Sequence, residues 1–163
     1  MNETQLISLA TETAQKLIEK EKTLSVAESC TGGWLSKILT DVSGISAIYK
    51  GGVCSYSNDV KMNILGVKEE TLACFGAVSE STAREMANGV REKLDTDIGI
   101  GITGIAGPMS DNTQKPVGLI YVALATEKET IVKELRNTFK EDIRLNNRLS
   151  ALETALKLLS SAV

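Results

Sequence analysis

Hydrophobic positions along this chain alternate between helical spacing and compact apolar runs, which predicts helices and strands in turn. The helical spacing covers residues 5–21, 33–39, 58–65, 79–94 and 141–160. The runs typical of buried strands cover residues 24–27, 47–56, 97–102, 117–125 and 130–139. In the last helix, one apolar side is predicted to contain Leu145, Leu149, Leu152, Leu156 and Leu159.

The order of these elements predicts the fold class. Helices separate the early strands, which is typical of parallel pairing, whereas the charged turn at residues 126–129 joins the last two strands as a hairpin. We therefore expect an α/β fold: a three-layer α/β/α sandwich with a mixed, partly parallel sheet. The only linker-like stretch, residues 104–114, is too short to separate two domains, so residues 1–163 are expected to form a single domain.

Composition and charge narrow the class of protein and its partners. Hydrophobic residues make up 42% and charged residues 24%, which is ordinary for a globular protein. No apolar segment resembles a membrane span or a signal peptide, so we expect a cytoplasmic protein with no membrane partner. The formal net charge of −3 and the absence of a recognisable basic patch argue against a nucleic-acid partner. Three cysteines at unrelated spacings suit reduced thiols.

The chain contains no histidine, and this limits its possible chemistry. Ser-His-Asp and Cys-His catalysis are excluded, and so is a zinc site that uses imidazole. A hydrolytic nucleophile would need another base. Lysine is the main candidate, because burial can lower its pKa enough for it to accept a hydroxyl proton.

Small hydroxyl and glycine residues follow two of the predicted strands. Residues 27–33 read Ala-Glu-Ser-Cys-Thr-Gly-Gly, which places Ser29 at the mouth of a helix where backbone N–H groups favour an oxyanion. The alternative is a plain strand-to-helix turn capped by Ser29 or Thr31. Residues 103–108 place Thr103 and flexible backbone at another strand end, where ligands of α/β sheets gather. The alternative there is an ordinary glycine-proline loop.

Basic residues supply two further candidates. Lys61 lies one turn into a helix that follows a strand, so its amine can reach Ser29 if the two strands are neighbours. The alternative is a solvated helix lysine. Arg144 and Arg148 have the i,i+4 spacing of a possible phosphate clamp. The alternative is a surface charge stripe, which is the better interpretation of the pair alone.

Taken together, these motifs resemble one family. The segments AESCTGG, GGVCSYSNDVK, GAVSE, GITGIAGP and KPVG occur in this order between residues 27 and 118. They resemble the CinA C-terminal domain family, whose characterised members include nicotinamide-nucleotide amidohydrolases, and the resemblance runs from residue 24 to 158. Longer members carry a separate N-terminal domain, so this chain looks like the stand-alone form.

The resemblance implies a serine-lysine amidohydrolase. It implies that Ser29 is the nucleophile and Lys61 the base, with Tyr56 also placed in the catalytic group. The positions that it assigns to substrate binding are Cys30, Thr31, Gly32, Gly33, Thr103, Gly104 and Arg144. It implies a pyridine-nucleotide substrate, no cofactor, no metal, and a homodimer or larger homo-oligomer. The activity to expect is deamidation of nicotinamide mononucleotide to nicotinate mononucleotide and ammonia.

Two segments depart from the family pattern. Residues 141–144 read Glu-Asp-Ile-Arg in place of a Gly-Asp-Arg element, and residues 109–112 read Met-Ser-Asp-Asn where relatives are often glycine-rich. Two alternatives follow. The chain could be a non-catalytic member that binds a nucleotide or a protein partner, or a hydrolase that acts on a different nucleotide or small amide.

Overall fold

The computed structural model describes residues 1–163, in which helices and strands alternate at first and are then followed by three successive helices, three successive strands and a last helix. The elements are α1 (Glu3–Glu19), β1 (Leu24–Glu28), α2 (Trp34–Thr40), β2 (Tyr49–Cys54), α3 (Asn58–Leu65), α4 (Glu69–Phe75), α5 (Glu80–Lys93), β3 (Ile98–Gly104), β4 (Leu119–Ala125), β5 (Thr130–Arg136) and α6 (Ile143–Ser161). A 3-10 helix, Ile45–Ala47, ends at the first residue of the segment 47–56 that was predicted as the second strand, and β2 begins two residues later. The hydrophobic pattern also missed α4 altogether.

The five strands form one mixed sheet in the order β2-β1-β3-β4-β5. β1 pairs in parallel with both β2 and β3, whereas β4 pairs antiparallel with both β3 and β5. The predicted α/β class, with a partly parallel sheet and a hairpin of the last two strands, is confirmed. Because β1, β2 and β3 run in the same direction, their last residues meet at one border of the sheet, which we call the carboxyl edge.

Helices cover both faces of the sheet. Helices α1, α2 and α6 pack on one face, where Val26 of β1 and Ile100 of β3 join the main hydrophobic core. Helix α5 covers the other face, on which α3 and α4 pack against α5. There, Ala27 of β1 contacts a smaller cluster that includes Met86 of α5. Ser29 follows Ala27 by two residues and therefore faces the same side as α5. No helix of the structure has the length and apolar character needed to cross a membrane.

The buried side of α6 differs in part from the predicted leucine stripe. Leu152, Leu156 and Leu159 are fully buried, but Leu145 is 46% exposed. The first turn of α6 packs against loops at the carboxyl edge rather than against the sheet. Arg144 and Asn147 take the positions that face those loops, because their side chains donate to loop carbonyls. The prediction of an unbroken apolar side was therefore wrong at Leu145.

Candidate active site

Ser29 and Lys61 meet at the carboxyl edge. Ser29 directly follows β1, and its N–H donates to the carbonyl of Ile102 in β3 at 3.1 Å. Lys61 lies in the first turn of α3, which follows β2 and begins where the Ser57 hydroxyl accepts from the N–H of Val60. Because β1 and β2 are neighbours, the Lys61 amine comes to 3.2 Å from the Ser29 hydroxyl oxygen.

The surroundings of Lys61 favour an uncharged amine. The side chain is 1% exposed and forms no ion pair with a carboxylate. Burial lowers the pKa of Lys61 below its ordinary value. The amine donates to the carbonyls of Ser55 at 2.7 Å and Tyr56 at 3.3 Å. A neutral amine has two N–H donors and one lone pair, so these two carbonyls leave the lone pair for the proton of Ser29.

The turn after Ser29 carries free backbone donors. Gly32 and Gly33 adopt left-handed backbone angles, with φ of 61° and 92°, which glycine reaches without steric cost. The N–H of Gly32 donates back to the carbonyl of Ser29 at 3.0 Å. The N–H groups of Cys30, Thr31 and Gly33 donate to no other residue of the chain. This turn can therefore supply donors to a developing oxyanion.

Glu28 organises this turn and was missed by the sequence analysis. Its carboxylate is 1% exposed and accepts from the Thr31 hydroxyl at 2.6 Å. It also accepts from the N–H of Leu35 at 3.0 Å and from the N–H and hydroxyl of Ser36, both at 2.9 Å. The first backbone N–H groups of α2 therefore have an acceptor within the chain. The signal in the sequence was an acidic residue next to a hydroxyl-glycine run at the start of a helix.

Cys30 contributes only its backbone to this edge. Its side chain is 6% exposed and belongs to the main core on the face covered by α1, α2 and α6. Burial raises the pKa of the Cys30 thiol to about 12. The thiol is therefore protonated at neutral pH and is not a nucleophile.

Thr103 and Gly104, at the end of β3, are both engaged in contacts within the chain. Thr103 is 1% exposed, and its hydroxyl donates to the carbonyl of Ala77 at 2.7 Å. This bond ties the loop before α5 to the carboxyl edge. Gly104 packs on β4, where an added Cβ would lie 2.6 Å from a side-chain carbon of Ile120.

Tyr56 and Arg144 lie together on the exposed side of the edge. Arg144 donates to the carbonyl of Gly107 at 2.9 Å and to the Tyr56 hydroxyl at 3.4 Å. Tyr56 is 66% exposed, so both side chains can contact a ligand.

Arg148 forms no hydrogen bond with Tyr56 or Arg144. It donates to the carbonyl of Thr31 at 2.8 Å and stacks on Trp34, so the arginines form neither a clamp nor a surface stripe.

Three cavities of the structure are lined by residues other than Ser29 and Lys61. A cavity of about 950 Å³ lies at the opposite border of the sheet and includes Thr23, Arg91 and Asp97 among its lining residues. A cavity of about 400 Å³ adjoins the carboxyl edge and is lined by residues that include Pro108, Lys140 and Arg144. No group of three or more His, Cys, Asp or Glu side chains is placed to hold a metal ion.

Known proteins have sequences similar to most of this chain. A family model described as the CinA C-terminal domain matches residues 6–163. A CinA-like protein of Endomicrobium trichonymphae is 45% identical over 155 residues, which cover 93% of this chain and 35% of that protein. A relative from Acetivibrio thermocellus, named for competence and damage induction, is 57% identical over 123 residues, or 76% of this chain and 30% of the relative. This chain thus spans about a third of the length of these curated relatives.

Two solved structures extend the similarity over nearly the whole fold. The competence/damage inducible protein CihA of Agrobacterium tumefaciens is 36% identical with a TM-score of 0.89, covering 96% of this chain and 94% of that one. A CinA superfamily protein of Klebsiella pneumoniae is 33% identical with a TM-score of 0.90, covering 96% of both chains. The matched family model and these shared folds lead to one conclusion: the chain belongs to the CinA C-terminal domain family.

Proposed function

We propose that this chain is an amidohydrolase that deamidates nicotinamide mononucleotide, with Ser29 as nucleophile and Lys61 as base. The observation that carries the proposal is the 3.2 Å contact between the buried Lys61 amine and the Ser29 hydroxyl. The substrate is the one implied by the resemblance of the motifs to nicotinamide-nucleotide amidohydrolases. Hydrolysis of an amide by serine and lysine also fits a chain that contains no histidine.

The first half-reaction acylates Ser29. The neutral Lys61 amine accepts the hydroxyl proton while the Ser29 oxygen bonds to the carboxamide carbon. The electron pair displaced onto the carbonyl oxygen is stabilised by free N–H groups among Cys30, Thr31 and Gly33. As the carbon–nitrogen bond breaks, the Lys61 ammonium returns its proton to the leaving nitrogen. Ammonia departs, and an ester of Ser29 remains.

The second half-reaction hydrolyses that ester. Lys61, neutral again, accepts a proton from water as the water oxygen bonds to the acyl carbon. The same N–H groups stabilise the second oxyanion. When the bond to Ser29 breaks, the proton on Lys61 passes to the serine oxygen and nicotinate mononucleotide is released. Each step uses only protein groups, substrate and water.

Tyr56 and Arg144 would bind the parts of the nucleotide other than the reacting carboxamide. Arg144 reaches this edge despite the altered residues 141–143 that precede it, because its guanidinium is anchored on Gly107. A guanidinium suits a phosphate, and the neighbouring exposed Tyr56 ring offers a flat surface for an aromatic cation.

Binding without turnover is the competing candidate. The cavity of about 400 Å³ lies beside Arg144 rather than at Ser29, which would suit a ligand held away from the nucleophile. In that case the chain would bind the nucleotide and release no ammonia.

Ammonia release from nicotinamide mononucleotide tests the proposal directly. We expect Ser29→Ala and Lys61→Met to lower kcat by at least about a thousandfold, because each removes a member of a unit that acts together. The exposed residues Ser46 and Lys93 provide matched controls, as Ser46→Ala and Lys93→Met should keep full activity. Retained turnover in Ser29→Ala would remove this serine from the reaction. Calorimetric binding to the unaltered chain without ammonia release would favour the competing candidate.

A further inference from the structure

Three side chains in the first half of α6 hold the two loops of the carboxyl edge by their carbonyl oxygens. Arg144 donates to Gly107 and Asn147 donates to Ala106, both at 2.9 Å. Arg148 crosses to the other loop and donates to Thr31 at 2.8 Å. Helix α6 therefore connects the nucleophile turn with the loop that follows β3.

Arg148 is held in a fixed orientation. Its guanidinium carbon lies 4.9 Å from the centre of the Trp34 ring, within the range of a cation–π contact. Its Nε is buried and has no hydrogen-bond partner, and the side chain forms no ion pair with a carboxylate. A surface charge would be solvated or paired, so the position of this guanidinium is set by the ring and by the Thr31 carbonyl.

Arg148 is one of two donors to the Thr31 carbonyl, and the other is the N–H of Trp34 at 3.2 Å. The peptide bond between Thr31 and Gly32 is planar, so a fixed Thr31 carbonyl also fixes the Gly32 N–H that donates to Ser29. The Thr31 hydroxyl is held from the opposite side by Glu28. Thr31 is thus fixed at its carbonyl and its side chain, which leaves its own N–H free with a defined direction.

We propose that Arg148 is a positioning residue that aims the backbone donors of the nucleophile turn at the oxyanion. Arg148 acts on the reaction through Thr31 and does not contact the substrate phosphate. Arg144, four residues earlier and exposed, remains the arginine available to a ligand. The proposal rests on the amide hydrolysis proposed above, since it assigns a role in that reaction.

The first test separates catalysis from binding. Arg148→Lys keeps the charge and Arg148→Gln keeps a hydrogen-bond donor, but neither keeps the planar guanidinium on Trp34. We expect kcat for ammonia release to fall about 10-fold to 100-fold with KM nearly unchanged, as expected for donors that are slightly misplaced. Arg136→Gln, an exposed arginine on β5, is the control that should keep full activity. An unchanged kcat, or a raised KM with the same kcat, would overturn the proposal.

Chemical rescue distinguishes positioning from general damage to the fold. In Arg148→Ala, guanidinium chloride well below its unfolding concentration should restore part of kcat, because the free cation can occupy the same place on Trp34. The same salt should leave the unaltered chain and Arg136→Gln unchanged. Failure of the cation to raise kcat in a folded Arg148→Ala chain would count against positioning.

Two further measurements keep this inference separate from the proposed function. If the unaltered chain releases no ammonia, a fluorophosphonate that phosphonylates serine nucleophiles reports on Ser29 directly, and its rate should fall in Arg148→Gln. An unaltered chain that also resists the phosphonate would refute the proposed function. Amide hydrogen exchange over residues 29–34 then decides the positioning role: faster exchange in Arg148→Gln supports it, and unchanged exchange overturns it.

Discussion

Lys61 combines deep burial with an absence of countercharge. Its side chain is among the largest in the protein that are fully buried, and its hydrogen-bond partners are the Ser29 hydroxyl and two carbonyls. Burying an ammonium among neutral groups is costly, so the folded chain favours the amine. The property that suits Lys61 to act as a base therefore lowers the stability of the fold at neutral pH.

This cost predicts a pH-dependent stability difference between the unaltered chain and Lys61→Met. The ordinary pKa of 10.5 is lowered in the folded chain, so between the two pKa values the unfolded chain binds more protons. The free energy of unfolding of the unaltered chain should therefore rise relative to Lys61→Met as pH increases through that window. The cost is fully present below the folded pKa and vanishes above the unfolded one.

Urea unfolding of both proteins from pH 7 to 10.5 measures this difference. Cys30 lies next to this site, but burial raises its pKa to about 12, so its thiol stays protonated in both folded proteins. A difference that stays constant or falls with pH would show that Lys61 is charged in the folded chain.

At the same residue scale, the sequence indicated which groups could react but not how they are held. The absence of histidine, together with a lysine one turn into a helix, made Lys61 a candidate partner for Ser29, and the family resemblance assigned it as the base. The four donors on Glu28 and the stacking of Arg148 on Trp34 arise from residues brought together by folding. The local spacing treated Arg144 and Arg148 as one pair. In the structure, Arg144 contacts Gly107 and Tyr56, whereas Arg148 contacts Thr31 and Trp34.

At the scale of elements, periodicity identified long elements and missed those fixed by neighbours. Helix α4 has no side-chain cap of its own; instead, Glu85 of α5 accepts from the N–H of Lys68 at 3.0 Å. A hydrophobic pattern cannot show that external acceptor. Strand β3 was predicted in place, although Gly99 and Gly101 weaken its apolar run, because those glycines serve close packing rather than a turn.

The close approach of α5 to β3 makes Gly101 intolerant of a side chain. An added Cβ would lie 2.5 Å from the carbonyl oxygen of Ala83 and 2.7 Å from the N–H nitrogen of Ala87. Both are backbone atoms of α5, so only a shift of the helix could relieve the contact. We expect Gly101→Ala to lower the free energy of unfolding by about 1–3 kcal/mol, measured by urea unfolding.

A matched change separates this effect from the loss of a flexible residue. At Gly66 nothing lies within 4 Å of an added Cβ, but φ is +74°. Gly66→Ala should therefore lower the free energy of unfolding by only about 1 kcal/mol, because of backbone strain. If Gly101→Ala is as stable as the unaltered chain, α5 can move away from β3 and is not held closely.

At the scale of the whole molecule, the two borders of the sheet have different roles. Ser29, Lys61 and Arg144 lie at the carboxyl edge, and the sequence analysis expected Ser29 and Lys61 to meet there if the strands before them were neighbours. The opposite border joins the start of β1 to the start of β3. There, Asp97 accepts from the N–H and hydroxyl of Thr23 at 2.8 and 2.9 Å, and its own N–H donates to the Thr23 hydroxyl at 2.8 Å.

This division predicts that Asp97→Asn will lower stability and leave catalysis unchanged. The hydrogen bond from the N–H of Thr23 is the main cause of the lowered pKa of Asp97. Because Asp97 is largely exposed, this interaction contributes little to stability, and we expect Asp97→Asn to lower the free energy of unfolding by about 1 kcal/mol at pH 7. The contribution of a carboxylate with a lowered pKa is present above its unfolded value of 3.8 and is lost as pH falls through its folded value. The stability difference between the two proteins should therefore shrink as the pH falls from 3.8 towards the folded pKa of Asp97.

Unfolding at pH 7 and pH 3, together with ammonia release at 25 °C, would test both parts of this prediction. Asp97 and Ser29 lie at opposite borders of the sheet and share no hydrogen-bond partner, so their effects should be independent. A fall in kcat in folded Asp97→Asn would show that the carboxyl edge depends on the geometry of the opposite border. Equal stability at pH 7 would instead show that pairing of β1 with β3 is sufficient to hold their starting residues together.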